Sequence, residues 1–128
     1  MHKLDSFMRN LKEKRKMESV NKYEQAYKLE TENGVTAFLN DYHKIAEARF
    51  YANDLSISDM LLDFEFAIKR ALTERQLQVI KLSYFQDMRQ VDVANVLNLT
   101  QQTVQEHTAK AIKNIATYHM LLKKKEAE

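Results

Sequence analysis

The chain has 128 residues, enough for one domain with a hydrophobic core, and it contains one glycine, no proline and no cysteine. Strand-rich folds need frequent turn residues, so this composition excludes most of them and predicts an all-α protein. Disulfides and thiolate metal sites are excluded. No apolar run reaches the length of a membrane span or of a signal peptide, so we expect a soluble cytoplasmic protein.

The net charge of +2 is distributed unevenly along the chain. Residues 72–125 carry eight Lys/Arg against four Asp/Glu, whereas residues 34–71 carry four against six. Clustered cations favour a polyanionic partner such as nucleic acid, although a charged helix face is more often simply solvated.

Residues 3–32 contain no helix breaker and predict a first helix with apolar stripes at Leu4, Phe7, Met8, Leu11 and at Met17, Val20, Tyr23, Tyr27. Asn33–Gly34 is expected to end it, because both residues tolerate the left-handed conformation. A second helix is predicted from about Thr36 to Tyr51, with inward positions Val35, Phe38, Tyr42 and Ile45.

Ser58 is expected to cap a third helix. Its inward positions are Met60, Leu61, Phe64 and Ile68. Leu62 and Phe66 are apolar on another side, so this helix should lie between the N-terminal helices and those that follow. Thr73 and Gln76 then have the form of a capping box. The helix they begin should bury Leu77, Ile80 and Tyr84 or Phe85.

The stretch "VDVANVLNLTQQTVQEH", residues 91–107, has the spacing of two helices that cross steeply. Val93, Ala94 and Leu97 form the apolar side of the first helix, and Asn98 suits a sharp turn that needs positive φ. Leu99 fills the corner, Thr100 can cap the second helix and Val104 returns to the core. The pattern predicts a helix-turn-helix.

The second helix begins with neutral polar residues rather than with the Glu/Lys mixture found elsewhere in the chain. A plain helical hairpin does not require this, whereas the first turns of a reading helix meet base edges. Glutamine can bond an adenine edge twice, and a threonine methyl can touch thymine. Lys110 and Lys113, further along, suit phosphate contacts.

The segment "LTERQLQVIKLSYFQDMRQVDVANVLNLTQQTVQEHTAKAIKNI", residues 72–115, resembles the fourth conserved region of bacterial sigma factors, which reads the promoter −35 element. His107 matches the related LuxR-type pattern, whereas Ala111 and "LTERQ" match the sigma form. The resemblance implies base reading by Gln101, Gln102 and Gln105. It places Arg75 and Arg89 near the DNA backbone and Lys110 and Lys113 on the basic stretch beyond.

Three residues depart from the family pattern. The base-reading positions, often Arg or Glu in the family, are all Gln, which puts the ordinary −35 hexamer in doubt as the target. Asp87 replaces the usual glycine of the loop, and Thr108 replaces a leucine of the apolar seam. Residues 1–71 show no match to the second conserved region that a complete sigma factor needs. The arrangement is similar to small sigma-like regulators of phages and mobile elements.

We therefore expect an N-terminal helical region (1–56) for dimerisation or partner binding, a DNA-binding domain (57–122) and a tail (123–128). The predicted function is a sequence-specific transcription regulator that binds double-stranded DNA, acts at promoters with RNA polymerase and forms a homodimer. The alternative is an assembly protein like a phage small terminase subunit. The candidate DNA-binding residues are Arg75, Arg89, Gln90, Thr100, Gln101, Gln102, Thr103, Gln105, Lys110 and Lys113.

An enzyme fits the sequence poorly. The four histidines, His2, His43, His107 and His119, are scattered. No metal-ligand pair shares a helix face, and no nucleophile lies beside a base. We predict no catalytic residue, no metal and no cofactor.

Overall fold

The computed structural model describes residues 27–52 and 55–127. Every regular element within these residues is helical, which confirms the all-α prediction. The helices are α1 (Glu32–Asn40), α2 (Tyr42–Ala52), α3 (Leu55–Ala71), α4 (Glu74–Ile80), α5 (Gln90–Leu97) and α6 (Gln101–Ala127), and a π-helical turn (Lys81–Phe85) follows α4 directly. None of these described helices is both long and apolar enough to cross a membrane. The predicted apolar stripes on residues 4–23 lie outside the described residues.

The turn that precedes α1 lies earlier in the chain than the sequence predicts. The expected helix end at Asn33–Gly34 is wrong, because both residues lie in the first turn of α1. The left-handed residue is Lys28, with φ 45°, and Thr31 caps α1 by accepting a hydrogen bond from the Gly34 N–H (3.0 Å). A Cβ at position 34 would overlap the carbonyl oxygens of Tyr27 and Lys28. Glycine is therefore required at position 34 because the backbone approaches closely there. A left-handed conformation is not the reason, since the φ of Gly34 is not positive.

The helix predicted over 36–51 is divided into α1 and α2 at Asp41 (φ −95°, ψ 4°). Asparagine and aspartate at 40 and 41 have poor helix propensity, and the Asp41 carboxylate accepts a hydrogen bond from the Tyr27 hydroxyl (2.8 Å). The predicted inward residues Val35, Phe38 and Ile45 are buried. Tyr42 is partly buried and stacks on Phe85, with 4.4 Å between the ring centroids.

α3 packs against α2 and α6, as its predicted central position requires. Its four predicted inward side chains, at positions 60, 61, 64 and 68, are at most 4% exposed. Leu62 and Phe66 are 49% and 58% exposed, so this second apolar side is uncovered among the described residues. The predicted N-cap at Ser58 is wrong, because α3 begins at Leu55 and buries Ile57 in its first turn.

α4 begins as predicted. The Thr73 hydroxyl accepts from the Gln76 N–H (3.2 Å), and the Gln76 side chain accepts from the Thr73 N–H (3.1 Å), which completes the capping box. The same Gln76 Oε1 accepts a bond from Asn114 Nδ2 (3.2 Å) in α6. Gln76 is only 8% exposed, and its buried carbonyl oxygen accepts both bonds, which fixes α4 against α6.

The predicted burial along α4 and the π-helical turn is confirmed for Ile80, which is fully buried, while Leu77, Tyr84 and Phe85 are partly buried. Burial raises the pKa of the Tyr84 hydroxyl. The larger hydrophobic cluster joins α1, α2 and α3 with Ile80 and with Ala111, Ile115 and Ala116 of α6. α6 thus connects the N-terminal helices to the part of the chain that contains the motif. The predicted domain boundary near residue 57 stays a prediction.

Candidate nucleic-acid interface

The corner between α5 and α6 is a helix-turn-helix with the predicted packing. Asn98 is left-handed (φ 56°), and the Leu99 N–H donates to the Ala94 carbonyl (2.8 Å) to close the turn. A separate hydrophobic cluster fills the corner with Val79, Val93, Ala94 and Val104, all at most 4% exposed. Because these side chains interlock, the start of α6 has a fixed direction relative to α5.

Threonine side chains cap the N-terminus of α6. The Thr103 N–H donates to the Thr100 hydroxyl oxygen (3.1 Å), and the two hydroxyl oxygens lie 2.8 Å apart. This confirms the predicted cap at Thr100. Both hydroxyls are therefore engaged within the helix end, and Thr103 is partly buried.

The first two turns of α6 present glutamines to solvent. Gln101, Gln102 and Gln105 are exposed, whereas Val104 among them is completely buried. The helix therefore packs by one side on its own domain and leaves the opposite side free. The tip of α6 stands clear of the protein interior, which is the condition that reading a duplex groove imposes.

A hydrogen bond crosses from α6 to α5 at this tip. Gln105 Nε2 donates to Gln90 Oε1 (3.1 Å), and both residues are exposed. Sequence reasoning includes both residues among the candidates but misses their contact. The bond depends on how two helices cross, and a spacing of fifteen residues carries no periodic signal for it.

The basic candidates are distributed over several elements. Lys110 and Lys113 are exposed on α6, and at about 100° per residue Lys113 lies on nearly the same side as Gln102. Arg75 is exposed in the first turn of α4. Arg89 precedes α5, and its Nε donates to Asp92 Oδ2 (3.0 Å) although its side chain is 80% exposed. Asp92, which sequence reasoning does not single out, therefore competes with any anion for Arg89.

The two remaining departures from the sigma pattern have distinct structural consequences. Asp87 lies in the left-handed region at φ 53°, which explains why glycine is usual there. The Thr108 hydroxyl donates to the Val104 carbonyl (2.8 Å), so a partly buried polar group is satisfied where the family has leucine. Neither departure disrupts the corner.

The family model described as Sigma-70, region 4, matches residues 70–116, a little over a third of the chain. The match begins at the end of α3, includes α4 and α5, and ends within α6. No curated protein and no solved structure matches the chain. The family consists of DNA-binding domains and not of enzymes. The match and the geometry of the corner agree that residues 70–116 form a helix-turn-helix domain like region 4 of the sigma factors.

Proposed function

We propose that this chain is a sequence-specific DNA-binding transcription regulator that acts in the cytoplasm, at promoters and together with RNA polymerase. The observation that carries the proposal is the exposed glutamine side of α6, held outward by the fully buried Val104. The match to the sigma region 4 family supports the promoter as the target. The proposal includes a homodimer and no enzymatic activity.

Base reading falls to the glutamines of α6. Each amide offers an acceptor and two donors, and Gln101, Gln102 and Gln105 can place these groups at the edges of bases in the major groove. Adenine presents an acceptor, N7, and a donor, the 6-amino group, side by side on its major-groove edge, and a glutamine amide complements this pair with two bonds. We therefore expect a target site that contains A·T pairs opposite the tip.

Phosphate contacts fall to Arg75, Arg89, Lys110 and Lys113. The Arg89–Asp92 pair does not prevent this, since an exposed ion pair contributes only about 0–1 kcal/mol and a phosphate can replace the carboxylate. Glu106 is exposed beside Gln105. Its negative charge disfavours a phosphate at that point and so limits the orientations in which the helix can enter the groove.

The test is a binding selection from random DNA duplexes, followed by titration of the selected site. Alanine at Gln101 or Gln102 should cost about 1–3 kcal/mol of binding free energy on that site and broaden its sequence preference, with little effect on unrelated DNA. Gln78→Ala is the matched control, because Gln78 is an exposed glutamine on α4 and lies on neither helix of the corner. Selection of no sequence by the wild-type chain would refute the proposal.

Lys110→Ala tests the phosphate role in the same titrations. Binding to all sequences should weaken alike, and the slope of log K against log salt should become shallower by about one. Lys69→Ala, which removes an exposed lysine from α3 outside the corner, should leave the slope unchanged. An unaltered slope for Lys110→Ala would remove this lysine from the interface.

A further inference from the structure

The hydrogen bond between Gln105 and Gln90 sets the Gln105 amide apart from the other two glutamines of the tip. Gln101 and Gln102 have no side-chain hydrogen bond among the described residues, whereas Gln105 donates to the Gln90 carbonyl oxygen at 3.1 Å. Gln90 is the first residue of α5, so its backbone is fixed against α6 by the buried Val93 and Val104. The amide of Gln105 is therefore anchored from outside its own helix.

We propose that Gln90 is a positioning residue that orients the Gln105 amide for adenine, an inference that rests on the proposed function and specifies it further. The bond to Gln90 uses one of the two N–H groups of Gln105. The second N–H and the carbonyl oxygen stay available, and these are the donor and the acceptor that complement N7 and the 6-amino group of adenine.

The bond also restricts the orientation of the Gln105 amide. If this amide alone rotated by half a turn, its carbonyl oxygen would face the Gln90 carbonyl oxygen, and the hydrogen bond would be lost unless the Gln90 amide rotated as well. A freely rotating amide can direct its NH₂ group at the two acceptors of guanine, N7 and O6. The anchored amide favours adenine over guanine at the base pair that Gln105 meets.

The experiment compares base preferences of the full-length chain and its variants in the selection from random duplexes. Gln105→Met identifies the base pair that depends on this amide. Gln90→Met keeps side-chain length but removes the acceptor, and Gln90→Glu keeps an acceptor for the Gln105 N–H. Gln78→Met on α4 is the control for replacing an exposed glutamine, and circular dichroism verifies that each variant keeps its helices.

At the base pair identified by Gln105→Met, we expect Gln90→Met to lower the adenine-to-guanine ratio by about threefold to tenfold. Gln90→Glu should hold the ratio within about twofold of wild type even if its charge weakens binding overall. The double methionine variant should match Gln105→Met alone, because the two residues act as a unit.

The outcomes separate this inference from the function on which it rests. If the wild-type chain selects a site and Gln90→Met keeps the wild-type ratio, Gln90 does not position Gln105, and the proposed function still stands. A base pair other than A·T at the Gln105-dependent position would also overturn the inference. Absence of any selected sequence would overturn both.

Discussion

Two residues in the left-handed conformation border α5, and neither is glycine. Asp87 (φ 53°) precedes the helix and Asn98 (φ 56°) follows it. The left-handed conformation destabilises most residues by about 1–2 kcal/mol. The cost is smaller for Asp and Asn, because their short polar side chains can form local hydrogen bonds. The Asn98 turn joins α5 to α6, whereas the Asp87 turn joins the π-helical turn to α5. Neither Asp87 nor Asn98 is among the residues proposed to touch DNA.

Asn98→Ala is expected to lower the free energy of unfolding by about 1 kcal/mol, because alanine keeps the Cβ and loses the polar group. Asn98→Gly should keep that free energy within about 0.5 kcal/mol of wild type, since glycine occupies the left-handed region freely. Urea titration followed by circular dichroism measures both. Equal unfolding free energies for the alanine and glycine variants would show that the turn is not under this constraint.

Among the elements, α5, its turn and the start of α6 follow from the sequence, because their determinants lie within a few residues. The spacing of Val93 and Val104, the asparagine at 98 and the threonine at 100 each act locally. The start of α1 does not follow. Asn-Gly is typical of a helix end. At positions 33–34, however, glycine is required because the backbone of residues 27–28 approaches closely, and the local sequence does not predict that contact.

Some features of the candidate site are also predictable from the sequence, and others are not. Exposure of the glutamines is predictable, since helical periodicity places Val104 inward and its neighbours outward. The bond between Gln90 and Gln105 is not, because it depends on the crossing of two helices. The left-handed backbone of Asp87 is likewise not evident from a sequence in which aspartate replaces the usual glycine.

Gly34→Ala distinguishes helix propensity from packing at the start of α1. Propensity alone predicts a gain of about 0.5–1 kcal/mol, because alanine stabilises a helix relative to glycine. The overlap of the new Cβ with the carbonyls of Tyr27 and Lys28 predicts instead a loss of about 1–3 kcal/mol in the free energy of unfolding. Asn33→Ala, at the exposed neighbouring position, is the control and should not destabilise. A stabilised Gly34→Ala variant would contradict the close approach.

At the scale of the molecule, α6 is the element that four of the other five described α-helices share. It contacts α1, α3, α4 and α5, and it contributes to both hydrophobic clusters. Its 27 residues span about 40 Å, with the exposed glutamines at one end. Near the other end, Lys123 Nζ donates to Glu30 Oε1 (3.1 Å) and connects α6 to the segment before α1. α6 therefore packs against both the N-terminal helices and the corner.

The lowered pKa of Glu30 gives a small pH dependence of stability. The pKa of Glu30 is lowered by a hydrogen bond with its own backbone N–H; partial burial opposes this, and Lys123 adds to the lowering. Since the folded-state pKa of Glu30 is below its ordinary value of 4.5, the stabilisation is present above that ordinary value and is lost as pH falls through the folded-state pKa. Glu30→Gln should therefore be less stable at neutral pH, by at most about 0.5 kcal/mol for so exposed a pair.

Urea titrations of Glu30→Gln and wild type across the acidic range measure this difference, with Glu32→Gln as the control for removing a nearby exposed carboxylate. The unfolding free energies of Glu30→Gln and wild type should become equal at pH values below the folded-state pKa of Glu30. A difference that persisted in acid would mean that the carboxylate charge is not its source.

The homodimer in the proposed function is a prediction about the whole molecule. A single small DNA-binding module covers only about 600–1,000 Å² of its own surface on DNA, and two linked modules bind more tightly and recognise a longer site. We expect sedimentation equilibrium to give twice the chain mass of 15.1 kDa. The selected DNA should then contain two half-sites whose centres lie about 34 Å, or a multiple of it, apart. A mass of one chain with a single half-site would contradict the dimer, and a mass of eight or more chains would instead favour a ring-forming assembly protein.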